Sequence, residues 1–183
     1  MTATLTIGQM LSAQARLQPE RLAARDLDRG LTYREWNARA CRLANALLGL
    51  GLAHGDRVAV LAYNRLEWAE IYTAVAKAGL VAVPINFRLT APEVQFIVED
   101  CAVAAILVED RLAGVIDEIR DQLSLGEDRY VVIGDSARAP GYRAYETLLG
   151  AAAEQEPEQT VAPQDTWCLM YTSGTTGRPK GAI

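Results

Sequence analysis

Apolar residues recur along the chain in two alternating patterns, one at helical spacing and one in short continuous runs. Apolar residues three or four positions apart predict amphipathic helices. Short continuous apolar runs predict strands that are covered on both faces. The predicted helices occupy Ile7–Leu17, 33–50, 64–79, 90–100 and 112–123, with a helical turn at 145–149. The predicted strands occupy Leu22–Asp26, 57–62, Val81–Ile85, 104–108 and Tyr130–Ile133.

The alternation of strands and helices determines the expected fold class. Short buried strands separated by amphipathic helices predict right-handed crossovers between parallel strands. We therefore expect an α/β fold, with a mostly parallel sheet flanked by helices. Pro84 lies within a predicted strand and cannot donate a backbone hydrogen bond, which favours an edge position or a strand end there.

Polar residues mark the ends of the predicted helices. Thr32 and Glu35 form a capping-box pattern ahead of the long second helix. The run 64–67 (Asn-Arg-Leu-Glu) is the predicted start of the third helix, and Gly79 is its predicted stop. Thr90 begins the fourth helix, which carries a proline in its first turn.

The last third of the chain changes character. Residues 1–150 carry the helix and strand alternation, whereas 151–165 are rich in Ala, Glu, Gln and Pro and predict an exposed connector of low order. Residues 166–183 predict a strand, a loop and a second strand. The apolar run 167–171 predicts a buried strand that places the loop at the edge of a sheet.

The loop concentrates small, hydroxyl and basic residues in a pattern suited to a phosphate chain. Glycines let backbone N–H groups approach an anion, hydroxyls add donors, and a lysine adds charge. It is not a Walker loop, because Pro179 stands at the second glycine position and Gly181, not a hydroxyl residue, follows Lys180. The candidate nucleotide-binding residues are Thr172, Ser173, Gly174, Thr175, Thr176, Gly177, Arg178, Pro179 and Lys180.

Composition excludes several classes of protein. The 183 residues carry a formal net charge of -5, which disfavours a nucleic-acid partner. Cys41, Cys101 and Cys168 show no paired spacing, so we predict no metal or redox centre and a reducing cytoplasm. His54, the one histidine, is expected to be a solvated loop residue. No signal peptide or membrane span is predicted.

The eleven residues 171–181, which read Tyr-Thr-Ser-Gly-Thr-Thr-Gly-Arg-Pro-Lys-Gly, resemble the signature of the adenylate-forming superfamily. This superfamily includes acyl-CoA synthetases, adenylation domains of peptide synthetases and firefly-type luciferases. The segments 31–35, 55–60 and 77–86 also resemble its N-terminal blocks. The resemblance is greatest to carboxylate–CoA ligases, and it covers nearly the whole chain.

The resemblance implies a chemistry in two halves. A carboxylate attacks the α-phosphate of ATP to give an acyl-adenylate and pyrophosphate, and coenzyme A then displaces AMP. ATP, magnesium, coenzyme A and a small-molecule carboxylate are the implied cofactor and partners. Residues 86–90 (Asn-Phe-Arg-Leu-Thr) resemble synthetases for fatty or aromatic acids. The alternatives are an amino-acid-activating adenylation domain and a nucleotide-binding or interaction module without catalysis.

The later motifs of the superfamily do not occur in the chain. We therefore expect an incomplete N-terminal portion of the large adenylate-forming domain, with the catalytic residues and any magnesium-binding acid beyond Ile183. Alone, the chain is expected to be inactive. Two modes of assembly are open for the chain: a homo-oligomer, and pairing with the remainder of the protein.

Overall fold

The computed structural model describes residues 4–27, 29–172 and 180–183, and their contacts form two units that interleave along the chain. The first unit comprises Met1–Gly55, Asn64–Leu80 and Leu148–Asp165. The second unit comprises Asp56–Tyr63, Val81–Thr147 and Thr166–Ile183.

The first unit consists of helices and a β-hairpin. Its elements are α1 (Ile7–Leu17), β1 (Leu22–Asp26), β2 (Arg29–Thr32), α2 (Tyr33–Gly49) and α3 (Glu67–Ala78). Thr32 and Glu35 form the predicted capping box at the start of α2, because each side chain accepts a hydrogen bond from the other residue's backbone N–H. Helices α2 and α3 pack together, and Trp36 Nε1 donates to Ala69 O at 2.9 Å.

The helix α3 starts at the last residue of the predicted run 64–67. Leu66, not Asn64, is the N-cap residue, and its side chain makes no capping hydrogen bond. Glu67 and Glu70 lie in the first turn instead, where carboxylates interact favourably with the helix dipole. The helix ends at Gly79 as predicted, in the left-handed conformation.

The second unit contains the predicted parallel sheet. Its strands are β3 (Arg57–Leu61), β4 (Val81–Ile85), β5 (Val103–Glu109), β6 (Tyr130–Ile133) and β7 (Arg143–Ala144), and its helices are α4 (Ala91–Asp100) and α5 (Ala113–Asp117). The strand order is β4-β3-β5-β6-β7, and every pairing is parallel. Residues of α4 and α5 pack with the strands in one buried cluster that includes Val94, Ile97, Ile106 and Ile116. The α/β fold class is therefore confirmed.

A short helix and a second hairpin complete the α-helices and strands of the described residues. They are α6 (Tyr145–Gly150), β8 (Met170–Thr172) and β9 (Lys180–Ala182). The strand β7 was not predicted from the sequence, because two residues are too few to show a pattern. No helix in the described part of the chain has the length and apolar character needed to cross a bilayer.

The predicted helix at 112–123 is wrong in extent. Only Ala113–Asp117 is α-helical, between two 3-10 turns at Asp110–Leu112 and Arg120–Gln122. Gly114 lies inside the part that is helical, so its low helix propensity does not account for the end of the helix at Asp117. The apolar side chains Ile116, Ile119 and Leu123 are nevertheless buried, so the spacing correctly identified a buried face but not one continuous helix.

The connector 151–165 contains no helix or strand, and side chains of α2 bind its backbone. Arg42 Nη1 donates to Ala152 O at 2.9 Å, and Asn45 Nδ2 donates to Ala153 O at 2.8 Å and to Gln155 O at 2.9 Å. These bonds hold the connector along the helix.

Candidate nucleotide-binding site

The hairpin of β8 and β9 brings the two ends of the candidate phosphate loop together. Thr172 lies opposite Lys180 in the antiparallel register, and both side chains are exposed. The second strand predicted after the loop is thus present. The other candidate residues, Ser173, Gly174, Thr175, Thr176, Gly177, Arg178 and Pro179, lie outside the described residues.

The segment before β8 reaches the edge of the parallel sheet, but the predicted buried strand at 167–171 is wrong in extent and burial, because the strand is Met170–Thr172 and none of these residues is fully buried. Ala82 N donates to Trp167 O at 2.9 Å, and Leu169 N donates to Ala82 O at 2.8 Å, which forms a parallel bridge to β4. Every second residue of a strand points its N–H to the same side, so Pro84 would present the next donor and has none. Pairing with β4 therefore ends after one bridge, and the chain continues into the hairpin of β8 and β9.

Tyr171 anchors the hairpin to the end of α4. Its hydroxyl donates to Asp100 Oδ2 at 2.6 Å. Burial, together with this bond to a carboxylate, raises the pKa of Tyr171 above its ordinary value, so the hydroxyl keeps its proton. Sequence reasoning missed this contact, because Asp100 is 71 positions away and carries no local signal.

Close packing explains why a glycine, Gly181, follows Lys180. A Cβ atom at this position would lie 3.1 Å from Leu169 Cδ1 and 3.4 Å from Tyr171 Cζ. The first distance is tighter than ordinary packing, so a side chain here would push against the two residues that seat the hairpin. The glycine thus contributes to the position of Lys180.

The carboxyl ends of β3 and β4 bring an exposed aromatic pair together. The rings of Tyr63 and Phe87 lie 4.7 Å apart, and Arg88 Cζ lies 5.5 Å from the centre of the Phe87 ring. Tyr63 N also donates to Glu109 Oε2 at 2.9 Å. Ligands of open α/β sheets bind at this edge. The sequence singled out Phe87 and Arg88 by resemblance alone, and it missed Tyr63 because the pair depends on β3 and β4 being neighbours.

Lys77, which begins the segment 77–86 that resembles an N-terminal block of the superfamily, is a buried structural residue. Its side chain is 2% exposed, and Nζ donates to Ser12 Oγ and to Glu156 Oε2, each at 2.6 Å. Burial opposes ionisation of Glu156, but hydrogen bonds from Lys77 and Ser12 outweigh it and lower its pKa. The ammonium group of Lys77 is thus bound within the first unit. A cavity of about 90 Å³ lies next to Lys77.

The histidine and the three cysteines that the sequence analysis considered lie among neighbours that fit a structural role. His54 is half-exposed, and its Nε2 lies 3.3 Å from Asp165 Oδ2. All three cysteines are free, and burial raises the pKa of Cys41 to about 11. Among the described residues, no group of three or more His, Cys, Asp or Glu could hold a metal ion. This part of the chain thus offers no carboxylate cluster for the magnesium that the resemblance implies.

Comparison with known proteins relates the chain to one family along nearly its whole length. The AMP-binding enzyme family matches residues 11–183. The long-chain-fatty-acid–CoA ligase FadD13 of Mycobacterium tuberculosis is 41% identical over 179 residues, which are 97% of this chain and 34% of that protein. The indoleacetate–CoA ligase of Aromatoleum aromaticum is 35% identical over 182 residues, which are 98% of this chain and 34% of that protein.

A solved structure shares the fold. The anthranilate CoA ligase AuaEII, in complex with anthranoyl-AMP, superposes with a TM-score of 0.91 at 29% identity, over 99% of this chain and 35% of that chain. The present chain therefore spans about a third of the length of the relatives that it matches.

Proposed function

The chain belongs to the AMP-binding enzyme family, and on this premise we propose that it is the N-terminal part of an ATP-dependent carboxylate–CoA ligase. The parent protein would join a carboxylate to ATP as an acyl-adenylate and then transfer the acyl group to a thiol. We further propose a fatty or aromatic acid as substrate. The names of relatives support both classes, because one acts on long-chain fatty acids and another on indoleacetate.

The pairing of Thr172 with Lys180 is the observation that carries the proposal. It closes the candidate loop, so that a hydroxyl and an ammonium group stand at its two ends. Backbone amides, hydroxyls and one compact positive charge together suit the non-bridging oxygens of a phosphate chain. We therefore assign residues 172–180 to the grip on the β- and γ-phosphates of ATP.

In the first half-reaction, a carboxylate oxygen attacks the α-phosphorus and the bond to the bridging oxygen of pyrophosphate breaks. Negative charge develops on the leaving pyrophosphate. Lys180 and the loop donors would stabilise that charge and align the leaving group. In the second half-reaction a thiol attacks the acyl carbonyl carbon and AMP leaves, so pyrophosphate is no longer present. A group that grips pyrophosphate should then matter less.

The experiment separates these two steps in the full-length protein. ATP–pyrophosphate exchange is measured with fatty, aromatic and amino acids, and thioester formation is measured from a supplied acyl-adenylate. We expect fatty or aromatic acids to support exchange. We expect Lys180→Ala to slow adenylation by about a hundredfold and thioester formation much less. Lys180→Arg keeps the charge and should recover part of the adenylation rate.

Three outcomes would contradict the proposal. Equal losses in both half-reactions would remove Lys180 from the pyrophosphate grip. Exchange supported by amino acids alone would favour the amino-acid-activating alternative, and tight ATP binding without exchange would favour a non-catalytic nucleotide-binding module.

The acceptor thiol and the magnesium site belong to the same proposal. Coenzyme A is the proposed acceptor, since several relatives are CoA ligases. A fatty acid–[acyl-carrier-protein] ligase of Streptomyces coeruleorubidus, 35% identical over 178 residues, makes a carrier-protein thiol the second candidate. Magnesium would neutralise the ATP phosphates when bound, with ligands supplied outside the described residues of this chain. The three free cysteines support a reducing compartment, and we propose the cytoplasm.

A further inference from the structure

The hairpin of β8 and β9 depends on side-chain contacts for its position in the second unit. Its two strands form a sheet of their own. Among the described residues, one isolated bridge, between Ala82 and Cys168, joins the preceding segment to β4. Leu169 and Tyr171 pack against the buried cluster of the unit. Apolar contacts are not directional, so they hold the hairpin without fixing its orientation.

The hydroxyl of Tyr171 supplies the missing directional contact. Its bond to Asp100 Oδ2, at 2.6 Å, joins a donor to a carboxylate, and such bonds are stronger than those between neutral groups. Tyr171 lies opposite Gly181 in the hairpin, and the next pair along the two strands is Thr172 and Lys180. The position of Tyr171 therefore determines the position of the pair that closes the candidate phosphate loop.

Asp100 stands where its own helix disfavours a negative charge. It is the last residue of α4, and the last turn of that helix contains Glu99 as well and no basic residue. The carboxyl end of a helix carries a partial negative charge, so carboxylates there reduce helix stability. Asp100 is also exposed, and it gains nothing from burial. The bond from Tyr171 is a contact that accounts for a carboxylate at this position.

The turn that follows Asp100 is strained and held from outside. Ala102 has φ +47°, in the left-handed region that is unfavourable for a residue with a Cβ atom. Arg57, at the start of β3, donates through Nε to Cys101 O and through Nη2 to Ala102 O, each at 2.6 Å. Strained backbone persists where its surroundings determine it, and it is concentrated at functional sites. Asp100 is thus presented from a fixed end of α4.

We propose that Asp100 is a positioning residue for adenylation, which acts through Tyr171 to set the place of Thr172 and Lys180. The proposal rests on the assignment of residues 172–180 to the grip on the ATP phosphates. A small displacement of an aligning group lowers the rate of the step in which that group acts. Asp100 should therefore matter when pyrophosphate leaves, and matter much less when a thiol attacks the acyl-adenylate.

A second tyrosine in the same unit offers a matched control. Tyr142 donates its hydroxyl to Asp117 Oδ1 at 2.7 Å, and it is partly buried like Tyr171. Tyr142 precedes β7, at the opposite end of the strand order from β4. Tyr142→Phe thus removes the same kind of bond without touching the hairpin. A loss of rate that came from lower stability alone would appear in both phenylalanine variants.

The experiment measures the two half-reactions in variants of the full-length protein. Tyr171→Phe and Asp100→Ala should each slow ATP–pyrophosphate exchange about tenfold, the value of one hydrogen bond to a charged group. Thioester formation from a supplied acyl-adenylate should be unchanged. The double variant should be no slower than the slower single variant, because both changes remove one contact. Asp100→Asn keeps an acceptor oxygen and should retain most of the rate, and Tyr142→Phe should retain all of it.

Amide hydrogen exchange at residues 168–172 gives a second measurement that needs no catalysis. Tyr171→Phe and Asp100→Ala should accelerate it about tenfold, and Tyr142→Phe should not.

Three results would overturn the proposal: adenylation unchanged in Tyr171→Phe, equal losses in both half-reactions, or losses that add in the double variant. A wild type that adenylates no acid would instead overturn the ligase assignment, and Asp100 would lose its proposed role in adenylation. Accelerated hydrogen exchange in Tyr171→Phe and Asp100→Ala would even then support the contact as the one that fixes the hairpin.

Discussion

At the scale of single residues, Glu67 shows how a buried carboxylate is kept ionised. Its side chain is 4% exposed, and Arg29 binds it through two nitrogens at 3.0 and 3.1 Å. Arg65 Nε adds a bond of 2.8 Å. Burial alone would raise its pKa, but the hydrogen bonds from Arg65 and Arg29 outweigh it and lower the pKa to about 2.

This balance predicts a pH-dependent stability. The folded pKa of Glu67 lies below its ordinary value of 4.5, so its contribution is complete above that value and is lost as the pH falls toward 2. We expect Glu67→Gln to lower the free energy of unfolding by about 3 kcal/mol at neutral pH. The difference from wild type should shrink under acid, as measured by urea unfolding at decreasing pH.

Glu20→Gln is the matched control for this carboxylate. Glu20 pairs with Arg34, but both side chains are more than half exposed, so the change should be nearly neutral. A Glu67→Gln deficit that stays constant with pH would show that lost packing, and not the charge, is responsible.

At the scale of elements, the end of α3 depends on one backbone conformation. Gly79 has φ +67°, and a Cβ added there would lie 2.5 Å from His54 Nδ1. Gly55 N also donates to Gly79 O at 2.7 Å, which ties the preceding loop to the helix end. A side chain at position 79 would therefore meet both backbone strain and a clash.

We expect Gly79→Ala to lower the free energy of unfolding by about 1–2 kcal/mol or more, measured by thermal or urea unfolding. The matched control is Gly49→Ala at the end of α2, where no atom lies within 4 Å of the added Cβ and alanine favours the helix. That variant should be neutral or slightly more stable. If adding His54→Ala to the Gly79→Ala variant fully restored its free energy of unfolding, the clash with His54 would explain the whole loss. Backbone strain at position 79 would then play no part.

At the scale of the whole molecule, we propose that the 183-residue chain alone does not turn over substrate, since it spans about a third of its relatives. The isolated chain should show no ATP–pyrophosphate exchange with any acid that the full-length protein accepts. The full-length protein, assayed in parallel, is the control. Exchange by the isolated chain at a comparable rate would contradict this prediction.

The sequence by itself determined the fold class and most element positions. Helical spacing and buried runs depend on local periodicity, so α1, β1 and β6 have the predicted bounds. Capping at Thr32 and the stop at Gly79 were also predictable, because both depend on residues a few positions apart. The loop 172–180 was recognisable from its own composition, although only Thr172 and Lys180 are among the described residues.

Only the tertiary structure decided which distant residues meet. The bond from Tyr171 to Asp100, the Tyr63–Phe87 pair and the burial of Lys77 against Glu156 join positions that periodicity cannot relate. The break in the segment 112–123 has the same origin, since packing requires a buried face and not a regular helix. The exposure of Leu17 and Leu27 also depended on the fold, because an apolar residue reads the same in a sequence whether it is buried or left in solvent.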